Sequence, residues 1–577
     1  MQAISAESVD ADVLNQTDHI SADDVDGDVL QASDEGQDVL AIDDEIPWEG
    51  HAINVWEGGN FSKLNQTIQN AENNSVIVLW GDFEFDESTD NVGAIHITGK
   101  SLIIDAQGHT IDAKNKTRIF WFENGNFTVF KNIVFKNALN LDASDSFSGG
   151  AVSLVGNGRF VNCTFINNSA GRAGAIYWGY ANKSQIFNCT FEGNRALSYG
   201  GGAIRIRNNM TNVVIENSTF INNHAPSDGG AIHFANTQGS NSNNIFNCTF
   251  INNTAVSGGG AVLVQAPGCS VINSTFINNS ATYGGSIRWD GYSGTIRNTT
   301  FTTNHASSQG GAIHGSGDQP IVILCHFDNN TAPEAGAIWW NQTENGVITN
   351  STFNYNIATG NAGAVHIAGT LCNITYSNFT HNSADNGASI FLDVGAYISE
   401  CLFEHEHAST DGGAIYLNSV NINPSQISQS VLSMLGLFNS TIFNCTAGND
   451  GGAGYIRASG GSVANVTFIN CSAGHDGGAG YVYGSNGRLY NSTFIGNNAT
   501  SGNGGAVYWY GINGTAYDVK IYNNTALNGG GIYLSKPADV SITDGYSIVN
   551  QSDFSNNTAI DNGGSIYCGG MFTNILY

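Results

Sequence analysis

Along most of the chain the apolar residues fall in short runs in which every second position is apolar, and Gly and Asn separate the runs. Ile176 and Trp178 have counterparts in Ile204 and Ile206, Ile232 and Phe234, Val262 and Val264, and Ile287 and Trp289. Alternation of this kind puts one set of side chains on one face of a strand, so each run predicts a short strand with a buried face. No repeat shows the 3.6-residue period of a helix, which argues against helical and leucine-rich solenoids. The runs recur with two phrases. One reads Gly-Gly-Ala-Ile, and the other reads Asn-Ser/Cys-Thr-Phe-Ile-Asn-Asn-x-Ala, as in Gly201–Ile204 followed by Asn217–Ala225. The Ala of the first phrase falls at 151, 175, 203, 231, 261, 286 (Ser), 312, 337, 364, 389 (Ser), 414, 453, 479, 506, 531 (Gly) and 565 (Ser), mostly 24–30 residues apart. Three strands of four or five residues plus their turns use about 25 residues. The prediction is an all-β chain: a single-stranded parallel β-helix of about sixteen to eighteen turns, right-handed by the usual chirality of parallel crossovers.

The phrases also predict roles within a turn. The Gly pair allows a tight corner with positive φ. The aromatic of the second phrase, from Phe135 and Phe165 to Phe494 and Phe554, faces inward. The Asn three residues before it, as at Asn132, Asn162, Asn188, Asn217, Asn247, Asn273, Asn298, Asn350 and Asn491, is expected to form an amide ladder inside the coil. Cys163, Cys189, Cys248, Cys325 and Cys401 share the slot that Ser218 and Ser274 fill elsewhere, which reads as a small buried side chain rather than a disulfide framework. The stacking of Cys163 on Cys189 and of Cys445 on Cys471 leaves bridges open without predicting them.

The strand edges at the ends of a solenoid need covers. Phe61, Leu64, Ile68 and Ala71 share one face of a short helix over residues 61–72, and residues 101–112 read as degenerate first turns. The chain thus divides into residues 1–46, an acidic tail; 47–131, the N-terminal cap and first turns; and 132–577, the β-helix repeats. The end of the chain inside a turn, after Gly563-Gly564-Ser565-Ile566, suggests that a C-terminal region follows.

Charge sharpens this division. The net charge is −29, and residues 1–46 hold fourteen of the 48 acidic residues and none of the 19 basic ones. With so few large apolar residues this tail is expected to be disordered. An acidic chain is a poor partner for nucleic acid or anionic membranes, and no run of about 20 apolar residues would insert directly into a bilayer. Residues 1–7 lack the basic and apolar regions of a full signal peptide.

Candidate binding chemistry lies on the strand after the Gly pair. The residue between its two inward positions should face solvent. Along the rod it reads Ser153, Tyr177, Arg205, His233, Leu263, Arg288, His314, Trp339, His366, Phe391, Tyr416, Tyr455, Tyr481, Tyr508, Tyr533 and Tyr567. Aromatic faces stack on sugars and polar tips bond hydroxyls, so this stripe suits a glycan chain. The competing explanation is that Tyr favours exposed strands and stacks on itself. Long turns at 418–438, which include the apolar Val431–Phe438, and at 535–550 either wall a groove or are tolerated insertions.

Asp411, Asp450 and Asp476 share a slot in consecutive turns. Carboxylates so stacked repel unless a cation such as Ca²⁺ intervenes, but Asn503, Asn528 and Gln309 in the same slot favour turn chemistry. His405-Glu406-His407 reads as a drifted repeat rather than a metal motif, and no cofactor or metal is expected. More than thirty Asn-x-Ser/Thr sequons occur. Those using the expected ladder Asn, such as Asn162, would be buried. Asn167, Asn252, Asn278, Asn329, Asn523 and Asn556 are the better glycosylation acceptors.

The pairing of Gly229-Gly230-Ala231-Ile232 with Phe250-Ile251-Asn252-Asn253 resembles the repeat of chlamydial polymorphic outer-membrane proteins. The Asn-rich turns, the acidic tail and the phrase Ile104-Asp105-Ala106-Gln107-Gly108-His109-Thr110-Ile111-Asp112 are similar to adhesin-like proteins of methanogenic archaea. The resemblance covers about residues 50–577. It implies a secreted or cell-surface adhesin on a pectin-lyase-like β-helix: a monomeric, non-enzymatic rod that meets surface glycans or a protein on another cell. No β-barrel translocator pattern, wall-binding module or terminal anchor accompanies it. A polysaccharide lyase or hydrolase is the alternative, since the fold hosts both. Arg205 and Arg288 lack an Asp cluster beside them, and no paired catalytic carboxylates stand out. A passive spacer is the third reading.

Overall fold

The computed structural model describes residues 52–576, except 92, 142–147, 180–181, 208–210, 236–242, 420–435, 459, 537–546 and 570–572. The acidic tail, nearly all of the turn at 418–438 and most of that at 535–550 lie outside the described residues. The chain forms a right-handed parallel β-helix of about 17 coils. Strands stack in parallel into three sheets, one of which takes two strands from each coil and the others one. Those two strands run on continuously in Phe120–Lys131 and Val152–Val161, and a turn parts them in later coils. Register is strict: Ile204 pairs with Ile232, Ile232 with Val262, and Val262 with Ile287.

The helix forms where the sequence places it, at Phe61–Asn70, with Phe61, Leu64 and Ile68 buried. Asn60 caps it by accepting the Lys63 N–H at 2.9 Å, and the Asp90 carboxylate takes the N–H groups of Phe61 and Ser62 at 3.0 and 2.7 Å. The first-turn donors are thereby satisfied. The coils begin ahead of this helix, because Ala52–Val55 already pairs with Ser75–Leu79.

Each Gly of the pair has its own task. The first adopts positive φ, as at Gly229 (64°) and Gly477 (70°). The second lies against the next coil, so a Cβ on Gly230 would strike the Gly260 carbonyl and one on Gly260 the Gly285 carbonyl. Inside, the phenylalanines stack face to face from Phe135 to Phe403, with centroids 4.6–5.0 Å apart. Each such pair contributes about 0.5–1.5 kcal/mol beyond its buried area.

The amide ladder exists, but on a different Asn from the one expected. Asn162, Asn188, Asn217 and Asn273 are exposed corner residues in the left-handed region, with φ of 50–53°. Asn tolerates this conformation, and it turns the side chain outward. The buried ladder runs through the Asn three residues after the aromatic: Asn168, Asn194, Asn223, Asn253, Asn279, Asn304, Asn330, Asn356 and Asn382, each 0 % exposed. Asn223 shows the pattern. Its Nδ2 donates to Asn253 Oδ1 at 3.0 Å and to the Phe191 carbonyl at 2.9 Å. Its Oδ1 accepts the backbone N–H and the Nδ2 of Asn194, both at 3.0 Å. Both donors and both lone pairs of the amide are used.

The ladder breaks once and resumes. Glu406, 0 % exposed, replaces Asn; the Asn382 N–H and Nδ2 donate to its two oxygens at 3.1 and 3.2 Å. Cys445 and Cys471 follow, and the amides return at Asn497 and Asn524. Burial pushes the Glu406 carboxyl up to about 8. All ten cysteines are free thiols. Burial raises those of Cys248, Cys269, Cys325 and Cys401 to about 12, so they are structural rather than reactive.

Asn279→Leu should strip hydrogen-exchange protection from the coils on either side, because it orphans the Asn253 amide and the Phe250 carbonyl at about 1–3 kcal/mol each. Asn278→Ala, one residue away at the exposed corner, should leave that protection in place. The Glu406 carboxyl titrates near 8 when folded and near 4.5 when unfolded, so the native state holds the extra proton between those values. Stability should therefore fall as pH rises from about 4.5 to 8, then level off. Melting temperatures measured across this range should show Glu406→Gln matching the parent at low pH and exceeding it increasingly up to about pH 8.

Candidate functional site

The outward residues of the strand after the Gly pair fall in exact register down the rod. Tyr177 pairs with Arg205, Arg205 with His233, His233 with Leu263, Leu263 with Arg288, and Arg288 with His314. The column continues through Trp339, His366, Phe391, Tyr416, Tyr455, Tyr481, Tyr508, Tyr533 and Tyr567. It is not the fully solvated stripe that alternation predicts. Tyr177 is 0 %, His233 6 % and His366 3 % exposed; Arg205, Arg288, Trp339 and the later tyrosines are half-buried. Corner residues on both sides reach the column, among them Asp228 and Glu334 before the Gly pair and Gln265, Asp290 and Asp393 after the strand. The column is thus the floor of a crease.

The N-terminal part of the crease is basic. Arg205 Nη1 donates to His233 Nδ1 at 2.9 Å and to the Gly200 carbonyl at 3.4 Å. His233 Nε2 meets Gln265 Oε1 at 3.1 Å. Burial and then the Arg205 charge hold the His233 imidazole down at about 3, so it is neutral and Nδ1 is the acceptor. Arg172 lies 4.5 Å over the Tyr199 ring. Burial, with the charges of Arg172 and Arg207 adding to it, lowers the Arg205 pKa. Arg288 bridges Asp228 at 3.4 Å and Asp290 at 3.1 Å.

The C-terminal part is aromatic and acidic. From Trp339 to Tyr567 every ring contacts the next. Trp339, His366 and Phe391 meet at 3.9 and 4.8 Å with tilted planes. Phe391, Tyr416, Tyr455, Tyr481, Tyr508, Tyr533 and Tyr567 stack at 4.7–5.2 Å. The ring faces are therefore occupied by one another, and edges and hydroxyl groups are what this column offers a ligand.

Asp411, Asp450 and Asp476 stand on the wall beside the tyrosines as members of an outer Asn/Asp ladder. Asp411 Oδ1 accepts the Asp450 N–H at 3.1 Å, and Asp450 Oδ1 accepts that of Asp476 at 2.9 Å. Asp476 Oδ1 accepts the Asn503 N–H and Nδ2 at 2.7 and 3.1 Å. Burial raises all three carboxyls, and the neighbouring carboxylate adds to this at Asp411 and Asp450. Burial, then adjacent tyrosines and aspartates, lifts the Tyr481 phenol well above its usual range; burial first brings Tyr508 to about 12.

Other sequence candidates are placed as follows. His405 and His407 point outward and Glu406 inward, so the three do not converge. Asn167, Asn252, Asn278, Asn329, Asn523 and Asn556 are exposed corners with φ of 53–59°. Asn162, Asn188 and Asn217 are exposed too, which corrects the expectation that their sequons are buried. Sequence reasoning missed Arg172, Asp228, Glu334 and Asp393, which occupy variable corner positions and are brought to the crease only by the coil register. Inside the coil, Gly454 and Gly480 replace the inward Ile and leave an apolar cavity of about 90 Å³ lined by Leu392, Ile398, Leu417, Ile442, Phe468 and Trp509. No helix among the described residues is long and apolar enough to cross a membrane.

Comparison with known proteins agrees on the architecture. A family described as "Right handed beta helix region" matches residues 93–276, and the "Chlamydia polymorphic membrane protein repeat" matches residues 298–316 and 551–569. No curated protein matches. Among solved structures, the PL6 family alginate lyase AlyGC is similar at 10 % identity and a TM-score of 0.31, over 88 % of this chain and 90 % of that one. A mannuronic acid specific polysaccharide family 6 lyase from human gut microbiota is similar at 12 % identity and a TM-score of 0.28, over 86 % of each chain. By the two family models, the chain is similar in its repeats to polymorphic membrane proteins and in its coil to right-handed β-helices.

Proposed function

We propose that this protein is a secreted, surface-displayed, adhesin-like rod that binds extended glycans along its outer crease without chemically altering them. The observation that carries this reading is the unbroken ring column from Trp339 to Tyr567. It repeats one contact per coil along a groove, which suits a polymer better than a small molecule. The polymorphic membrane protein repeats and the exposed sequon corners support display at a surface. Function does not follow from the fold, which carries enzymes and non-enzymes alike.

The ring stacking changes the binding chemistry expected of the stripe. With their faces covered, the tyrosines recognise sugar through ring edges and hydroxyl groups at one-coil spacing, about 4.8 Å. The carboxylates of Asp411, Asp450 and Asp476 favour a neutral chain over a uronate at this end. The arginines around Tyr177 favour acidic substituents at the other.

The triple substitution of Tyr455, Tyr481 and Tyr508 to Phe keeps the stack and removes three hydroxyl groups. On an array of neutral and acidic oligosaccharides it should lower binding of neutral chains about tenfold or more, since each lost hydrogen bond costs about 1 kcal/mol, while the melting temperature holds. Retained binding by this well-folded variant would exclude the tyrosine column as the contact, and an array on which the parent protein binds nothing would favour a passive spacer.

A further inference from the structure

On the crease wall, two consecutive coils bring two carboxylates and an imidazole to one point. His475 Nδ1 lies 3.3 Å from Asp450 Oδ1 and 3.3 Å from Asp476 Oδ2. The three donor atoms all fall within 4.8 Å of one another. Ligand atoms about 2.1 Å from a divalent metal sit roughly 3.0–3.5 Å apart, so both imidazole–carboxylate spacings fit a shared ion.

The backbone and a neighbouring amide hold this triangle. Asp450 Oδ1 is drawn toward the next coil by the Asp476 N–H at 2.9 Å. Asn503 holds the other oxygen of Asp476 through two hydrogen bonds, at 2.7 and 3.1 Å, and so aims Oδ2 at the imidazole. That is the orientation that outer partners give to metal ligands. The Asp476 side chain is only 10 % exposed, and among the described residues His475 Nδ1 is the ion-pair partner of its Oδ2. The side chain of His475 is 54 % exposed, which leaves room for further ligands on the solvent side.

We propose that Asp450 Oδ1, His475 Nδ1 and Asp476 Oδ2 form a binding site for a first-row divalent transition metal, with Zn²⁺ as the natural probe. Two carboxylates balance the charge of the ion. The imidazole selects a borderline metal over Ca²⁺ and Mg²⁺, which prefer all-oxygen shells. A cation here would offset the mutual repulsion of the stacked carboxylates, which turn chemistry alone leaves standing. The site does not depend on what the crease binds.

Isothermal titration of the full chain, stripped with chelator and held at pH 7.5, tests this. The expected result is one equivalent of Zn²⁺ bound, at least about tenfold more weakly in His475→Gln and in Asp476→Asn, and about tenfold more weakly in Asn503→Ala. His407→Gln, an exposed histidine elsewhere on the rod, should bind as the parent does. Zn²⁺ should raise the melting temperature of the parent but not of His475→Gln, a solvent-facing change that leaves the metal-free melt unaltered. Absence of binding by the parent would overturn the proposal. Binding kept in both ligand variants, or Ca²⁺ bound as tightly as Zn²⁺ and indifferent to His475, would overturn it equally.

Discussion

The rest of the structure hangs on the buried Asn that follows the aromatic by three residues. A coil must turn a corner there in a dry interior, where an N–H and a carbonyl would otherwise lack partners. One carboxamide meets both needs, because it carries two donors and two acceptor lone pairs. It bonds the Asn amides above and below, the preceding coil's backbone N–H and a Phe carbonyl, as Asn223 shows at 2.9–3.0 Å. No other uncharged side chain of that length does all four. The Phe stack beside it adds apolar burial, but burial is tolerant of substitution: Ile442 replaces Phe without breaking the array. The amide column sets the register that places everything on the outside.

Much of this was legible from the repeat. The alternation after the Gly pair, the inward Phe, the small side chain before it and the helix at Phe61–Asn70 all follow from periodicity and from the conformational needs of Gly. Two inferences went astray for one reason: alternation holds within a strand and fails at a corner. Counted back from the inward Phe165, parity sends Asn162 outward, where the structure has it; counted forward it sends Asn168 outward too, but the left-handed corner at Asn167 (φ 54°) turns that residue into the core. The phrase Phe-x-x-Asn already contained the true ladder residue, and a corner Asn just before it was the remaining clue. The outer column suffered similarly. Parity correctly turned Tyr177 and His366 away from the core, but corner residues from neighbouring turns cover them, and a single repeat contains no sign of that.

The crease owes its character to what coil register does to side chains. Residues distant in sequence are set about 4.8 Å apart, in line. For aromatic rings this distance is close to a stacking contact, so a column of Tyr becomes a rod of rings whose faces are closed to ligands. For arginines it concentrates charge: Arg172, Arg205 and Arg207 converge around Tyr177 in a chain that is otherwise acidic. A polymer lying along the crease would meet a basic end and an acidic, hydroxyl-lined end, and could bind in one direction better than the other.

The same register makes charge the costly substitution. Asn stacks on Asn because each amide both gives and accepts; a carboxylate only accepts, so Asp on Asp or Glu in an Asn column cannot repeat the pattern. The chain makes that substitution in both settings and resolves it differently. Inside, Glu406 is 0 % exposed, and burial makes its carboxyl keep its proton up to about pH 8, which restores a donor. Outside, Asp450 and Asp476 are largely buried in the wall and gather a half-exposed imidazole between them, where the proposed divalent cation would complete the neutralisation. Departures from Asn in these columns therefore mark the positions where the scaffold gives way to chemistry.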